Sequence, residues 1–215
     1  MFVRDRMSRN PITVLPETSL HDALRIMREE KIRRLPVLDR KGRLAGIVLE
    51  RDLLYASPSP ATSLSVYELN YLVAKITVGE LMSKEVVTIE DDCPLEEAAR
   101  IMVDGHISGL PVMRGGTLVG MITESDLFRV FLEMLGARDW GLRVTLQVPE
   151  QRGFLARLSG RIAERGGNIV SLGTFSGDDP ANRQLTIKVQ DMSRAQMQDA
   201  LAGLGAELVD MRETH

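Results

Sequence analysis

The chain has 215 residues, 44% hydrophobic and 27% charged, an ordinary globular composition that excludes a fibrous repeat or a chain disordered throughout. Its 27 basic side chains against 30 acidic ones leave a net charge of −3, so no basic excess points to a nucleic-acid backbone as partner. No apolar run reaches the roughly 18 residues of a membrane span, and the opening MFVRDRMSRN lacks the apolar stretch of a signal peptide. Cys93 is the single cysteine and His21, His106 and His215 lie far apart, so neither an internal disulfide nor a metal cluster is expected. These features predict a soluble cytoplasmic protein with no nucleic-acid or membrane partner. Aromatic residues are only 4%, so its cores must be aliphatic.

In chain order, Leu20, Ala23, Leu24 and Met27 share one helix face. Ser19 and Asp22 ahead of them form a capping-box pattern. Residues 35–38 and 44–49 are short apolar strands around the turn Asp39-Arg40-Lys41-Gly42. A second helix starts near Arg51. Ser57-Pro58-Ser59-Pro60 breaks the pattern. In 61–76, Leu64, Tyr67, Tyr71 and Leu72 keep partial helical phase, which predicts an inserted connector helix or a dimer contact.

The pattern then repeats. Met7-Ser8 returns as Met82-Ser83, and the helix face returns as Leu95, Ala98, Ala99 and Met102, each displaced by 75. Ile32-Arg33-Arg34-Leu35-Pro36-Val37 returns as Ile107-Ser108-Gly109-Leu110-Pro111-Val112. Gly46 to Leu53 returns as Gly120-Met121-Ile122-Thr123-Glu124-Ser125-Asp126-Leu127, displaced by 74 because one turn, Arg114-Gly115-Gly116, is shorter. In this copy Asp92 is the expected helix cap, Pro94 is tolerated in the first turn, and the last helix starts near Ser125. Each copy reads helix, hairpin, helix. One copy cannot cover both faces of its sheet, so the two must pack together.

The L-P-V strands, the G-h-h-T-x-x-D-L ending and the Met-Ser openings resemble the CBS domain, and the two copies resemble a tandem CBS pair over about residues 1–133. The expected divisions are repeat 1 at 1–56, a linker with an inserted helix at 57–76 and repeat 2 at 77–133.

A different unit follows the composition break at Arg138-Asp139-Trp140-Gly141. Leu142, Val144, Leu146 and Val148 alternate with polar residues, as a half-buried strand does. Gly153 precedes a helix carrying Leu155, Leu158 and Ile162, which Gly166-Gly167 ends. Residues 168–175 are strand-like, 176–182 a loop, and Leu185, Ile187 and Val189 alternate again. Ser193 and Gln196 form a capping box for a helix face of Met197, Ala200, Leu201 and Leu204, and 207–211 can form a last strand. The order strand, helix, strand, strand, helix, strand predicts a ferredoxin-like α+β sandwich over 139–215. With Pro149 to Leu155 and Gly167-Asn168-Ile169, this unit resembles an ACT domain. Arg152 departs from the proline that family often places before the glycine. The resemblance implies either an amino-acid site, carried by Glu150, Gln151, Gly153, Asn168 and Ile169, or simple dimerisation. A CBS pair followed by an ACT unit is similar to the AcuB-like acetoin-utilisation accessory proteins.

Candidate chemistry centres on the second copy. Thr123 and Asp126 sit between a strand and a helix, where a carboxylate and a hydroxyl can hold a ribose; alternatively Asp126 or Ser125 only caps the helix. The CBS resemblance favours the first reading, with Ser108 and Gly109 lining an adenine edge. The first copy keeps Asp52 but has Leu49 for the threonine, and carries Arg33 and Arg34, either a phosphate fork or solvated surface. No nucleophile–base pair, paired-carboxylate motif, P-loop or Rossmann glycine pattern is present. The expectation is therefore a non-catalytic regulator that requires no cofactor. Its regulatory ligand would be an adenine nucleotide (AMP, ADP or ATP) or S-adenosylmethionine. It would assemble as a homodimer or tetramer and have a metabolic enzyme as possible partner. The alternative is an interaction protein with empty sites that docks to such an enzyme.

Overall fold

The computed structural model describes residues 1–56, 75–176 and 182–214. The expected inserted helix of 61–76 and the 176–182 loop lie, but for their ends, outside the described residues. The chain divides into two compact units, Met1–Leu127 and Phe128–His215.

The first unit contains both copies. A 3-10 turn at Val3–Asp5 leads to β1 (Ser8–Arg9). Then come α1 (Leu20–Glu29), the hairpin β2 (Arg34–Leu38) and β3 (Leu44–Leu49), and α2 (Glu50–Ala56). The second copy has the short helix α3 (Val78–Leu81), β4 (Ile89–Glu90) and α4 (Leu95–Asp104). The hairpin β5 (Gly109–Arg114) and β6 (Thr117–Thr123) follows, and then α5 (Glu124–Met134). Around α1, Leu20, Ala23 and Met27 pack with Leu35, Val37, Val48 and Leu53, all at most 1% exposed. This core is aliphatic, as the scarcity of aromatics requires. Ser19 accepts from the Asp22 amide at 3.1 Å and caps α1. In the second copy the cap differs from expectation. Pro94, not Asp92, is the N-cap, and its hydrocarbon ring offers the helix no hydrogen bond; its extended backbone bridges Phe2.

The opening segments are exchanged between the copies. β1 pairs with β6, Ser8 opposite Met121, so the start of the first copy completes the sheet of the second. In return Ser83 pairs with Ile47 of β3, the two amides donating to the two carbonyls at 3.0 and 2.9 Å. The correspondence continues residue by residue. Val3 N–H donates to Cys93 O at 2.9 Å, and Val78 N–H, its equivalent 75 residues on, donates to Thr18 O at 2.8 Å. Phe2 bridges Pro94 as Thr77 bridges Ser19.

The second unit continues α5 into β7 (Gly141–Pro149), α6 (Phe154–Glu164), β8 (Asn168–Ser176), β9 (Asn182–Gln190), α7 (Arg194–Leu201) and β10 (Glu207–Thr214). Its antiparallel sheet has the order β10-β7-β9-β8. Leu142, Val144, Leu146, Leu185, Ile187 and Val189 turn one sheet face onto Leu158 and Ile162 of α6 and Met197 of α7. Phe154, not Leu155, completes the buried face of α6. Leu155 is 43% exposed, because the helix begins one residue after Gly153 and that places Phe154, Leu158 and Ile162 at the inward positions. Ser193 and Gln196 form the expected capping box. On the other sheet face Lys188 is 3% exposed, and its ammonium donates to the carbonyls of Gly136, at 2.9 Å, and Asp139.

Candidate nucleotide cleft between the repeats

The start of β2, the end of β3 and the start of α2 approach the beginning of β5 and of α5. Between them lies a cleft of about 320 Å³, lined by Arg33, Arg34, Leu49, Glu50, Arg51, Leu54, Ser108 and Glu124. Repeat register explains the gathering, since Arg33 corresponds to Ser108, Arg34 to Gly109 and Glu50 to Glu124. The equivalent ends of the two hairpins face one another.

Arg34 starts in the first copy and reaches into the second. Its guanidinium donates to the Ser108 hydroxyl at 2.6 Å. It also lies so close to Gly109 that a β-carbon there would stand 2.7 Å from Nη1. Partial burial, with the charge of Arg33 beside it, pushes the guanidinium below its usual range, against the pull of Glu124 and Asp126. Among the described residues neither Arg33 nor Arg34 has a carboxylate ion-pair partner, whereas Arg51 lies 3.5 Å from Asp52. Two cations at a cleft mouth without paired anions can take a phosphate through forked hydrogen bonds.

Thr123 and Asp126 are held together. The Asp126 carboxylate, 7% exposed, accepts from the Thr123 amide at 2.9 Å and from its hydroxyl at 2.7 Å. That arrangement ties the strand end to the first turn of α5, as a capping box does. Of the seven residues singled out for an adenosine ligand, Arg33, Arg34 and Ser108 line the cleft directly. Gly109 lies under Arg34. Thr123, Asp126 and Asp52 stand at the two strand–helix junctions without lining it. Glu50, Glu124, Arg51 and Leu54 were not singled out from the sequence. The repeat register, by which Glu50 and Glu124 hold one position in both copies, was the signal that could have found the two carboxylates.

In the second unit Glu150, Gln151 and Gly153 line a separate cleft of about 400 Å³ at the start of α6, together with Thr174, Arg183 and the apolar Val148, Phe154 and Leu155. Gly153 has φ of +78°, a backbone that suits glycine. Glu150 is paired with Arg183, and Gln151 accepts from Arg157 at 2.9 Å. Asn168 and Ile169 are not part of this cleft. They begin β8, whose other end carries Thr174, and six residues of strand separate them by about 20 Å.

Among the described residues no helix is long and apolar enough to cross a membrane. Among solved structures, one from Vibrio cholerae, provisionally described as an acetoin utilization protein (AcuB), is 32% identical. It covers 65% of this chain and 96% of that one, with a TM-score of 0.53. Arabidopsis thaliana CBSX2 in complex with AMP is 34% identical over 61% of this chain and 96% of that one, TM-score 0.50. The CBS domain pair of protein MJ0100, in complex with 5′-methylthioadenosine and S-adenosyl-L-methionine, is 30% identical over 61% and 95%, TM-score 0.51. The model of the CBS domain matches residues 3–59 and 78–133. With two matched copies exchanging their opening strands around a shared cleft, the chain belongs to the CBS domain family.

Proposed function

We propose that this chain is a regulatory ligand-binding protein whose CBS pair senses an adenine nucleotide or an adenosyl compound. The observation that carries the reading is the cleft at the meeting of the two hairpins, where Arg33 and Arg34 stand without carboxylate partners among the described residues beside the Ser108 hydroxyl. The ligands named for the related pairs, AMP in one and 5′-methylthioadenosine with S-adenosyl-L-methionine in the other, support it. Thr123 and Asp126 would turn from each other to a ribose, and Asp52 would take the weaker, equivalent place in the first copy. Regulation without catalysis follows the same reading, and the likeness to the Vibrio cholerae protein connects it to acetoin utilization.

The second unit we read as a ferredoxin-like ACT domain over 139–215, from its βαββαβ order and the glycine entering α6. The cleft at Glu150, Gln151 and Gly153 is its candidate amino-acid site, and dimerisation to a homodimer or tetramer is its other role.

Titration calorimetry with AMP, ADP, ATP, S-adenosylmethionine and 5′-methylthioadenosine tests the reading. Saturable heat with at least one, and a raised unfolding temperature as for any ligand of the native state alone, is the expected result. Absence of both across the panel leaves the interaction protein as the better account.

A further inference from the structure

Arg34 and Gly109 are the same position in the two copies, and they meet. The arginine arm lies along the bare α-carbon, with Cζ at 3.0 Å and Cδ at 3.2 Å from where a β-carbon of residue 109 would be. A second large side chain at this position would have to displace the first. One guanidinium therefore serves a place that two equivalent residues would otherwise fill. Its guanidinium donates to Ser108, just ahead of β5 in the second copy. The same side chain lines the cleft at Leu49, Glu50 and Arg51 of the first copy.

We propose that Arg34 is a gate shared by the two repeats: a phosphate-bearing ligand on the first repeat's side of the cleft draws its guanidinium off Ser108 and Gly109, and so opens the second repeat's side to an uncharged adenosyl ligand. This rests on the reading that the pair binds adenine compounds, and deepens it by giving each side of the cleft its ligand class. The chemistry of the exchange is direct. The bond to be given up is a single one to a neutral hydroxyl, and those to be gained go to an anion, whose oxygens the planar guanidinium can hold through two parallel hydrogen bonds. Arg34 has no carboxylate ion-pair partner among the described residues to compete with that anion. The first copy has Leu49 where the second has Thr123, so the first depends on charge and the second on hydroxyl and carboxylate contacts. Coupling of this kind is reciprocal: the neutral ligand must also tighten the anionic one by the same factor.

The experiment is calorimetry on the full chain with AMP as the anionic probe and 5′-methylthioadenosine as the neutral one. In the wild type, saturating AMP should tighten 5′-methylthioadenosine by about 5-fold or more, the lower end of ordinary allosteric coupling. In Arg34→Ala the neutral probe should bind without AMP as tightly as it does with AMP in the wild type, and AMP should no longer change it. Arg34→Gln, closer in size, should behave alike and covers the case in which the alanine variant does not fold. Unchanged or weakened 5′-methylthioadenosine binding in the presence of AMP overturns the gate while leaving the nucleotide reading intact. Coupling that survives in the folded variant overturns it too. Failure of both probes to bind the wild type, singly or together, overturns the gate, and the functional reading falls with it when ADP, ATP and S-adenosylmethionine fail as well.

Discussion

Gly120 presents its bare α-carbon to the sulfur of Met7: a β-carbon there would stand 2.5 Å from Met7 Sδ and 3.0 Å from the Ser8 carbonyl. The same contact recurs between Gly46 and Met82, again at 2.5 Å from the sulfur, with the Ser83 carbonyl at 2.9 Å. Each glycine admits the opening segment of the other repeat. Gly120→Ala and Gly46→Ala should each cost about 1–3 kcal/mol, the range for overpacking a close contact. Urea unfolding checks this, and midpoints equal to the wild type would contradict the close approach.

Asp126 and Asp52 occupy one position in the two repeats but different surroundings. Asp126 takes two hydrogen bonds from Thr123, while Asp52 has Leu49 in place of that threonine. Asp126→Ala should lower stability by about 0.5–2 kcal/mol, as loss of a cap does, and Asp52→Ala should lower it less. In binding, Asp126→Ala should remove most adenosine affinity by calorimetry, while Asp52→Ala changes it little. Loss of a hydroxyl contact through Thr123→Val should weaken adenosine by roughly threefold to tenfold, from about 0.5–1.5 kcal/mol. An Asp52 variant more damaging than the Asp126 variant would reverse the assignment.

The helix face, the hairpins and the duplication were legible because each rests on local pattern. Leu20, Ala23 and Met27 needed only helical spacing to be placed inward, and Gly46 to Leu53 needed only to be laid beside Gly120 to Leu127. The exchange of Met7-Ser8 and Met82-Ser83 was not legible, since two equivalent strand edges look alike in sequence and only chain packing decides which one a segment joins. Likewise Arg33-Arg34 and Ser108-Gly109 were visible as departures at one position, but that Arg34 uses the space left by Gly109 is a fact of their meeting. Leu155 was misplaced for a simpler reason: Phe154, Leu155 and Leu158, three apolar residues within five, fit two helix phases, and the start of the helix decides between them.

Asp91 is held by Arg114, whose guanidinium donates to its carboxylate at 2.9 and 2.5 Å. That hydrogen bonding keeps the Asp91 acid below its ordinary range. A carboxylate whose folded value lies below its unfolded value, about 3.9, stabilises the protein above that unfolded value, and the contribution disappears as pH falls through the folded one. Asp91→Asn should therefore melt lower than the wild type near neutral pH, and the two melting curves should converge in acid. A gap that persists or widens at low pH would show that the ion pair is not its source.

Lys188 lies on the sheet face away from α6 and α7, its ammonium donating to the carbonyls of Gly136 and Asp139 in the stretch between α5 and β7. Lys188→Met keeps the length and loses the donors. Leaving buried acceptors without a partner costs roughly 1–3 kcal/mol. The variant should lose stability by that order in chemical denaturation, and amide exchange should quicken around residues 136–140. Retained protection there would mean the carbonyls are satisfied without the lysine.

The exchanged opening strands make each repeat incomplete by itself. Residues 1–56 cut from the rest would carry a strand, Ser8–Arg9, with no sheet to join, and a sheet edge at Ile47 with no strand to cover it. Two such fragments carry the complementary halves and could trade them, so the covalent pair has the connectivity of a swapped dimer held in one chain. Joined copies are free to diverge where identical ones are not. A symmetric dimer would place the same residue on both sides of its axis, arginine against arginine or glycine against glycine. Within one chain the two sides can differ, and here one carries Arg34 where the other carries Gly109.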